Sequence, residues 1–131
     1  MTSHQINPTL SDLRKISAAT YQFTLDHAKR HPSVVVEDPE VTCVGGSVFR
    51  IRVRVVNRGE IPTNVTNKGA SLSRLRTVRV ELRPASRVSL LSKDGHRELG
   101  HLAGITGGSI LEWFLNAPGK STDLCEINVY A

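Results

Sequence analysis

From Phe49 to Val55 apolar and charged residues alternate strictly. Phe49, Ile51, Val53 and Val55 hold one parity, and Arg50, Arg52 and Arg54 the other. A period of two puts one set on each face of an extended chain, so this stretch reads as a half-buried β-strand. Thr77 to Arg83 repeats the pattern, with Val78, Val80 and Leu82 inward and Arg79, Glu81 and Arg83 outward. Shorter runs complete the set: Ser33 to Glu37, Val41 to Val44, Val88 to Leu91, Arg97 to Leu102, Ser109 to Leu115 and Leu124 to Tyr130. Turn formers separate them at Gly45-Gly46, Asn57-Arg58-Gly59, Lys93-Asp94-Gly95, Gly104 to Gly108 and Pro118-Gly119. Strands at this spacing with no helix between them predict a mainly β fold. The expectation is a seven- to eight-stranded antiparallel sandwich of immunoglobulin or fibronectin type III kind over residues 32–131, with a small barrel as the alternative.

The first 31 residues follow a different period. Leu13, Ile16, Thr20, Phe23 and His27 recur at spacings of three and four, one stripe of a helix. Thr9 is placed to cap it, with Asp12 at the capping-box position, and Pro32 stops it. The expected helix is about 22 residues, roughly 33 Å long. A single helix cannot be a domain, so the stripe around Leu13, Ile16 and Phe23 is expected to serve as an interaction surface. The predicted organisation is an N-terminal helix over 1–31 and a β-domain over 32–131.

At 131 residues, with 39% hydrophobic and 22% charged, the chain is sized for one folded domain. No run of about 18 apolar residues exists, and no membrane is expected as a partner. The first residues show no signal-peptide pattern. A net charge of +5 invites a nucleic-acid reading, but aromatics are only 5% and the basic residues are spread along the chain, which disfavours it. The arginine row Arg50, Arg52 and Arg54, extended by Arg79 and Arg83 if they share its sheet, is a second candidate interaction surface. The plainer reading is a solvated face paired with neighbours such as Glu81.

Catalytic chemistry finds little support. His27 and His31 lie at i and i+4 but enclose no His-Glu-x-x-His arrangement. His4, His96 and His101 read as solvated surface residues, and no metal site is expected. There is no Gly-x-Ser-x-Gly elbow. Gly104 to Gly108 precedes a strand rather than a helix, so it lacks a phosphate cradle. Cys43 and Cys125 fall on inward parities and read as two buried free thiols, with one disulfide as the alternative. Trp113 reads as core. Asn64-Val65-Thr66 fits a glycosylation sequon. No catalytic residue and no cofactor is expected on this chain.

The sharpest local signal is Val55-Val56-Asn57-Arg58-Gly59-Glu60-Ile61-Pro62-Thr63, a polar loop, then Arg76 to Leu82. Asn57 and Gly59 suit a positive-φ reversal, Pro62 fixes the exit, and Thr63 or Asn64 is placed to bond the loop backbone. These are structural jobs. The motif resembles the non-catalytic β-sandwich that follows the catalytic domain in certain bacterial zinc carboxypeptidase-like proteins. A helix ending before a proline and strand, the Gly100 to Gly104 stretch before Trp113, and Gly119 before a final strand are similar to that family too. The resemblance implies that residues 1–31 are the last helix of a peptidase domain on the same polypeptide, and that the sandwich supports it. No His-x-x-Glu zinc motif is present, so no catalytic residue carries over, and zinc is expected only upstream. The alternative is a free-standing protein- or glycan-binding module, with the loop from Asn64 to Ser73 as its best surface. Tyr21, Trp113 and Tyr130 are its few aromatic platforms besides Phe.

Overall fold

The computed structural model describes residues 9–72, 74–119 and 123–131. His4 and Ser73, for which the sequence carries expectations, lie outside these residues, as do the other first residues of the chain. The chain divides into two compact units, Met1–His31 and Pro32–Ala131.

The first unit is one helix, α1 (Leu10–Lys29), of 20 residues. Its start is the capping box the sequence implies: Thr9 Oγ1 accepts from the Asp12 N–H at 3.2 Å, and Asp12 Oδ2 accepts from the Thr9 N–H at 3.2 Å. Two of the four orphan amides of the first turn are thereby satisfied. Lys29 and His27 place cationic or ring nitrogen groups in the last turn. Phe23 stacks on His27 with ring centroids 6.1 Å apart. Leu10, Ile16 and Phe23 are all more than half exposed, Phe23 at 71%.

The second unit is mainly β, with seven strands among the described residues. A four-stranded antiparallel sheet contains β1 (Val34–Gly45), β2 (Val48–Asn57), β4 (Ser89–Leu90) and β6 (Gly108–Asn116), in the order β1-β2-β6-β4. A three-stranded antiparallel sheet contains β3 (Val78–Pro84), β5 (His96–Gly100) and β7 (Cys125–Tyr130), in the order β5-β3-β7. A four-residue helix, α2 (Asn67–Ala70), sits in the loop between β2 and β3. Two separate sheets replace the barrel alternative.

The core lies between the sheets. Ile51, Val53 and Val55 of β2 and Leu111, Trp113 and Leu115 of β6 meet Val78, Val80 and Leu82 of β3. Each trio is the inward parity of its strand, and Trp113 is 0% exposed. The arrangement is sandwich-like, with alternation deciding which side chains enter it.

Two expectations about strands change. The runs at 33–37 and 41–44 are one strand. A register shift between Glu37 and Glu40 interrupts the β1–β2 ladder, and Asp38 there has φ +48°. Asp38-Pro39 looks like a break in sequence, but an edge strand accommodates a proline at such an irregularity and resumes pairing. The run at 88–91 shortens to the two residues of β4. Its backbone soon turns aside, and the Leu91 and Ser92 amides both reach the Phe114 carbonyl.

Candidate functional site

The motif from Val55 to Thr63 forms a polar knot. Asn57 is 0% exposed, the one fully enclosed polar side chain among the described residues. Its Oδ1 accepts from the Ser33 N–H at 2.9 Å and the Gly59 N–H at 3.0 Å. Its Nδ2 donates to the Ile61 carbonyl at 2.8 Å and the Ala103 carbonyl at 3.2 Å. All four bonding positions of the amide are used, so its burial is compensated. One side chain thus ties the entry to β1, the turn after β2 and the loop before β6.

The expected mechanism of that turn is corrected. Neither Asn57 nor Gly59 has positive φ; the non-glycine residues that do are Asp38, Val65, Arg87 and Ile105. Asn57 works through its side chain, closing an Asx-turn onto Gly59 and bridging distant segments. Thr63 does what was expected of it: its N–H donates to the Leu102 carbonyl at 2.9 Å, and its Oγ1 accepts from the Leu102 N–H at 2.8 Å. Asn64 Nδ2 donates to the Thr66 carbonyl at 2.9 Å, so the sequon asparagine is occupied in loop structure. Gly104 packs so closely that a Cβ there would lie 1.9 Å from the Glu60 carbonyl oxygen. Gly107 is held as tightly, against the Ala103 backbone.

Two of the β2 arginines have a carboxylate within 4 Å. Arg50 lies 3.9 Å from Glu112 and Arg52 3.7 Å from Glu40. Arg54 stands opposite Glu37 in the β1 register. Glu37 instead bonds Arg58 at 2.5 Å, which holds the Arg58 guanidinium above its ordinary pKa. Arg79 and Arg83 do not extend this row: β3 belongs to the other sheet, so the two arginine sets are on different sheets. Arg83 bonds Glu81 at 3.0 Å, and that hydrogen bond holds the Glu81 carboxyl below its usual range.

Both cysteines are free, as read, but Cys43 is exposed and Cys125 is half-buried. Cys43 shares a face with Phe49, its register partner, yet that end of β1 is exposed, Val41 and Val44 included. Burial pushes the Cys125 thiol up. His31 Nδ1 lies 2.7 Å from the Ala28 carbonyl. His101 is not a solvated surface residue: it is half-buried, and its Nδ1 is buried with no hydrogen-bond partner among the described residues. Gly100 at φ +71° turns the chain before it, and the Thr63–Leu102 pair fixes the chain after it. Among the described residues no group of three or more His, Cys, Asp or Glu is placed to hold a metal ion. Among them, too, no helix is long and apolar enough to cross a membrane.

One feature escaped sequence reasoning. Arg74, Arg76, Arg79 and His101 line a groove of about 590 Å³ beside the loop that carries α2. The signal was the spacing Arg74-x-Arg76-x-x-Arg79 just after that loop. Only the β3–β5 pairing brings His101 to it.

A mainly β, sandwich-like unit braced by a buried asparagine is thus the class of protein this fold and motif define. The chain belongs to the family described as "Domain of unknown function (DUF8731)", whose model matches residues 33–129. The match begins at the residue after Pro32, where α1 has ended. No curated protein matches the chain.

Proposed function

We propose that this chain is a non-catalytic accessory and interaction domain of a larger, bacterial zinc carboxypeptidase-like protein, supporting an upstream peptidase domain. The observation that carries the reading is the use made of Val55 to Thr63. Asn57 and Thr63 at its centre bond to fold backbone, and Arg58 beside them pairs with Glu37 of β1. The most distinctive stretch of the chain is therefore a bracing element and no reaction centre. The exposed stripe of Leu10, Leu13, Ile16 and Phe23 adds an apolar face suited to the peptidase domain as its occupant.

The finer architecture belongs to the same proposal. With β1, β2, β3, β6 and β7 as strands A, B, C, E and F, the neighbours A-B-E and C-F follow the immunoglobulin-like plan, and β5 beside β3 extends the second sheet. Reading the encoding DNA upstream of codon 1 tests the functional reading. An in-frame extension carrying His-x-x-Glu and a distant His is expected. A stop codon with a ribosome-binding site directly before Met1 would overturn it. The free-standing binding module would then lead, a reading favoured by the basic groove beside the β2–β3 loop.

A further inference from the structure

Several arginines of the sandwich have a carboxylate close by. Arg50, Arg52, Arg58 and Arg83 each lie within 4 Å of a glutamate. Arg74, Arg76 and Arg79 form no ion pair among the described residues, although they converge on one groove. Glu98 is the carboxylate in its wall, and it accepts a hydrogen bond from the Thr77 hydroxyl. Three guanidinium groups therefore share one carboxylate, already engaged by Thr77, and such a local excess of like charge is unfavourable. His101 adds a buried Nδ1 without a partner, a position that structures seldom leave unfilled.

We propose that this groove binds an oxyanion, the phosphate or carboxylate group of a small ligand, held by Arg76 and Arg79 with His101 beside them. Guanidinium groups present paired N–H donors that match either group in bidentate fashion. The site is built before the ligand arrives. Arg79 lies within β3, opposite Glu98 on β5 and Tyr130 on β7, so its backbone is fixed from both sides. His101 is held between Gly100 and the Thr63–Leu102 clamp. Leu72 and Leu75 give the groove an apolar wall for the remainder of a ligand, and its volume suits a small molecule. Arg76 and Arg79 also line an adjoining hollow of about 330 Å³ with Tyr130, so a longer ligand has room on their far side. This inference does not rest on a peptidase parent.

The test is a titration of the full chain, labelled for amide NMR, with pyrophosphate and separately with citrate at about 0.15 M salt. Saturable shifts confined to residues 70–79 and 96–103 are expected, with Kd near or below about 1 mM. Arg76→Ala and Arg79→Ala should each raise Kd about tenfold, while Arg52→Ala on the other sheet should leave it unchanged. Trp113 fluorescence confirms that each variant is folded. Saturation by pyrophosphate alone assigns a phosphoryl ligand, by citrate alone a carboxylate, and either result supports the site. Two results would overturn it: no saturation by either anion up to about 20 mM, or shifts that Arg76→Ala and Arg79→Ala do not alter. A thymidine oligonucleotide that binds more tightly than pyrophosphate, with shifts well beyond the groove, would overturn the small-ligand assignment in favour of a nucleic acid.

Discussion

Replacing Asn57 with alanine removes four hydrogen bonds from an enclosed position. The partners differ in what they lose. Ser33 and Ala103 are exposed, so water replaces much of what the side chain supplied; Gly59 and Ile61 are half-buried, so their N–H and C=O are left poorly paired. An unsatisfied group in such a place costs about 1–3 kcal/mol, and a replaced one much less. The sum is about 3 kcal/mol, which lowers the midpoint of a domain this size by about 15 °C. Trp113 is the single tryptophan and fully buried, so its fluorescence reports unfolding in urea. Asn57→Asp sharpens the test. It preserves size and both bonds from the Ser33 and Gly59 amides, but its second oxygen faces two carbonyls instead of donating to them. At neutral pH it should cost at least as much as alanine. The cost should shrink in acid, where the protonated carboxyl regains an O–H donor. A loss below about 1 kcal/mol for Asn57→Ala, at unchanged denaturant dependence, would refute the bracing role.

Gly104→Ala should destabilise by about 2–4 kcal/mol in the same urea assay, because the added Cβ meets the Glu60 backbone at 1.9 Å; a neutral variant would show that the loop can shift. Iodoacetamide at pH 8 should label Cys43 well before Cys125, since Cys43 is exposed and burial raises the Cys125 pKa and depletes its thiolate. Equal labelling rates by mass spectrometry would contradict this. Arg83→Ala should leave stability at neutral pH close to that of the parent, as the pair is solvent-exposed. Glu81 has its pKa depressed by Arg83, so the pair contributes above the unfolded carboxyl pKa and its contribution disappears as pH falls through the folded one. Urea midpoints measured from pH 7 to pH 3 should therefore converge for parent and variant, and a gap that widens in acid would be inconsistent with the pairing.

What could be read directly were the features whose causes are local. Thr9 and Asp12 are three residues apart, and their reciprocal bonds need only a helical turn. Val53 and Val80 declared their burial through parity, because a strand cannot place neighbours on the same face. Other features depended on partners far along the chain. Asp38-Pro39 broke the pattern that β2 restores by pairing on both sides of it. Cys43 has an inward parity, but parity does not say whether anything lies above that part of the sheet. Asn57 suits a positive-φ reversal by residue type but acts through its side chain, whose partners Ser33 and Ala103 lie 24 and 46 residues away.

The sequence by itself determined the helix and its cap, the strands and their inward faces, and the turn at Asn57, because periodicity and capping act over one or two turns of chain. Tertiary structure alone decided which strands share a sheet. That choice separated the arginines of β2, each beside a β1 or β6 carboxylate, from those of β3. It also carried His101 from the end of β5 to Arg76 and Arg79, in a groove where Glu98 is the one carboxylate. Alternation tells a side chain which way to face, but only long-range pairing determines what it faces.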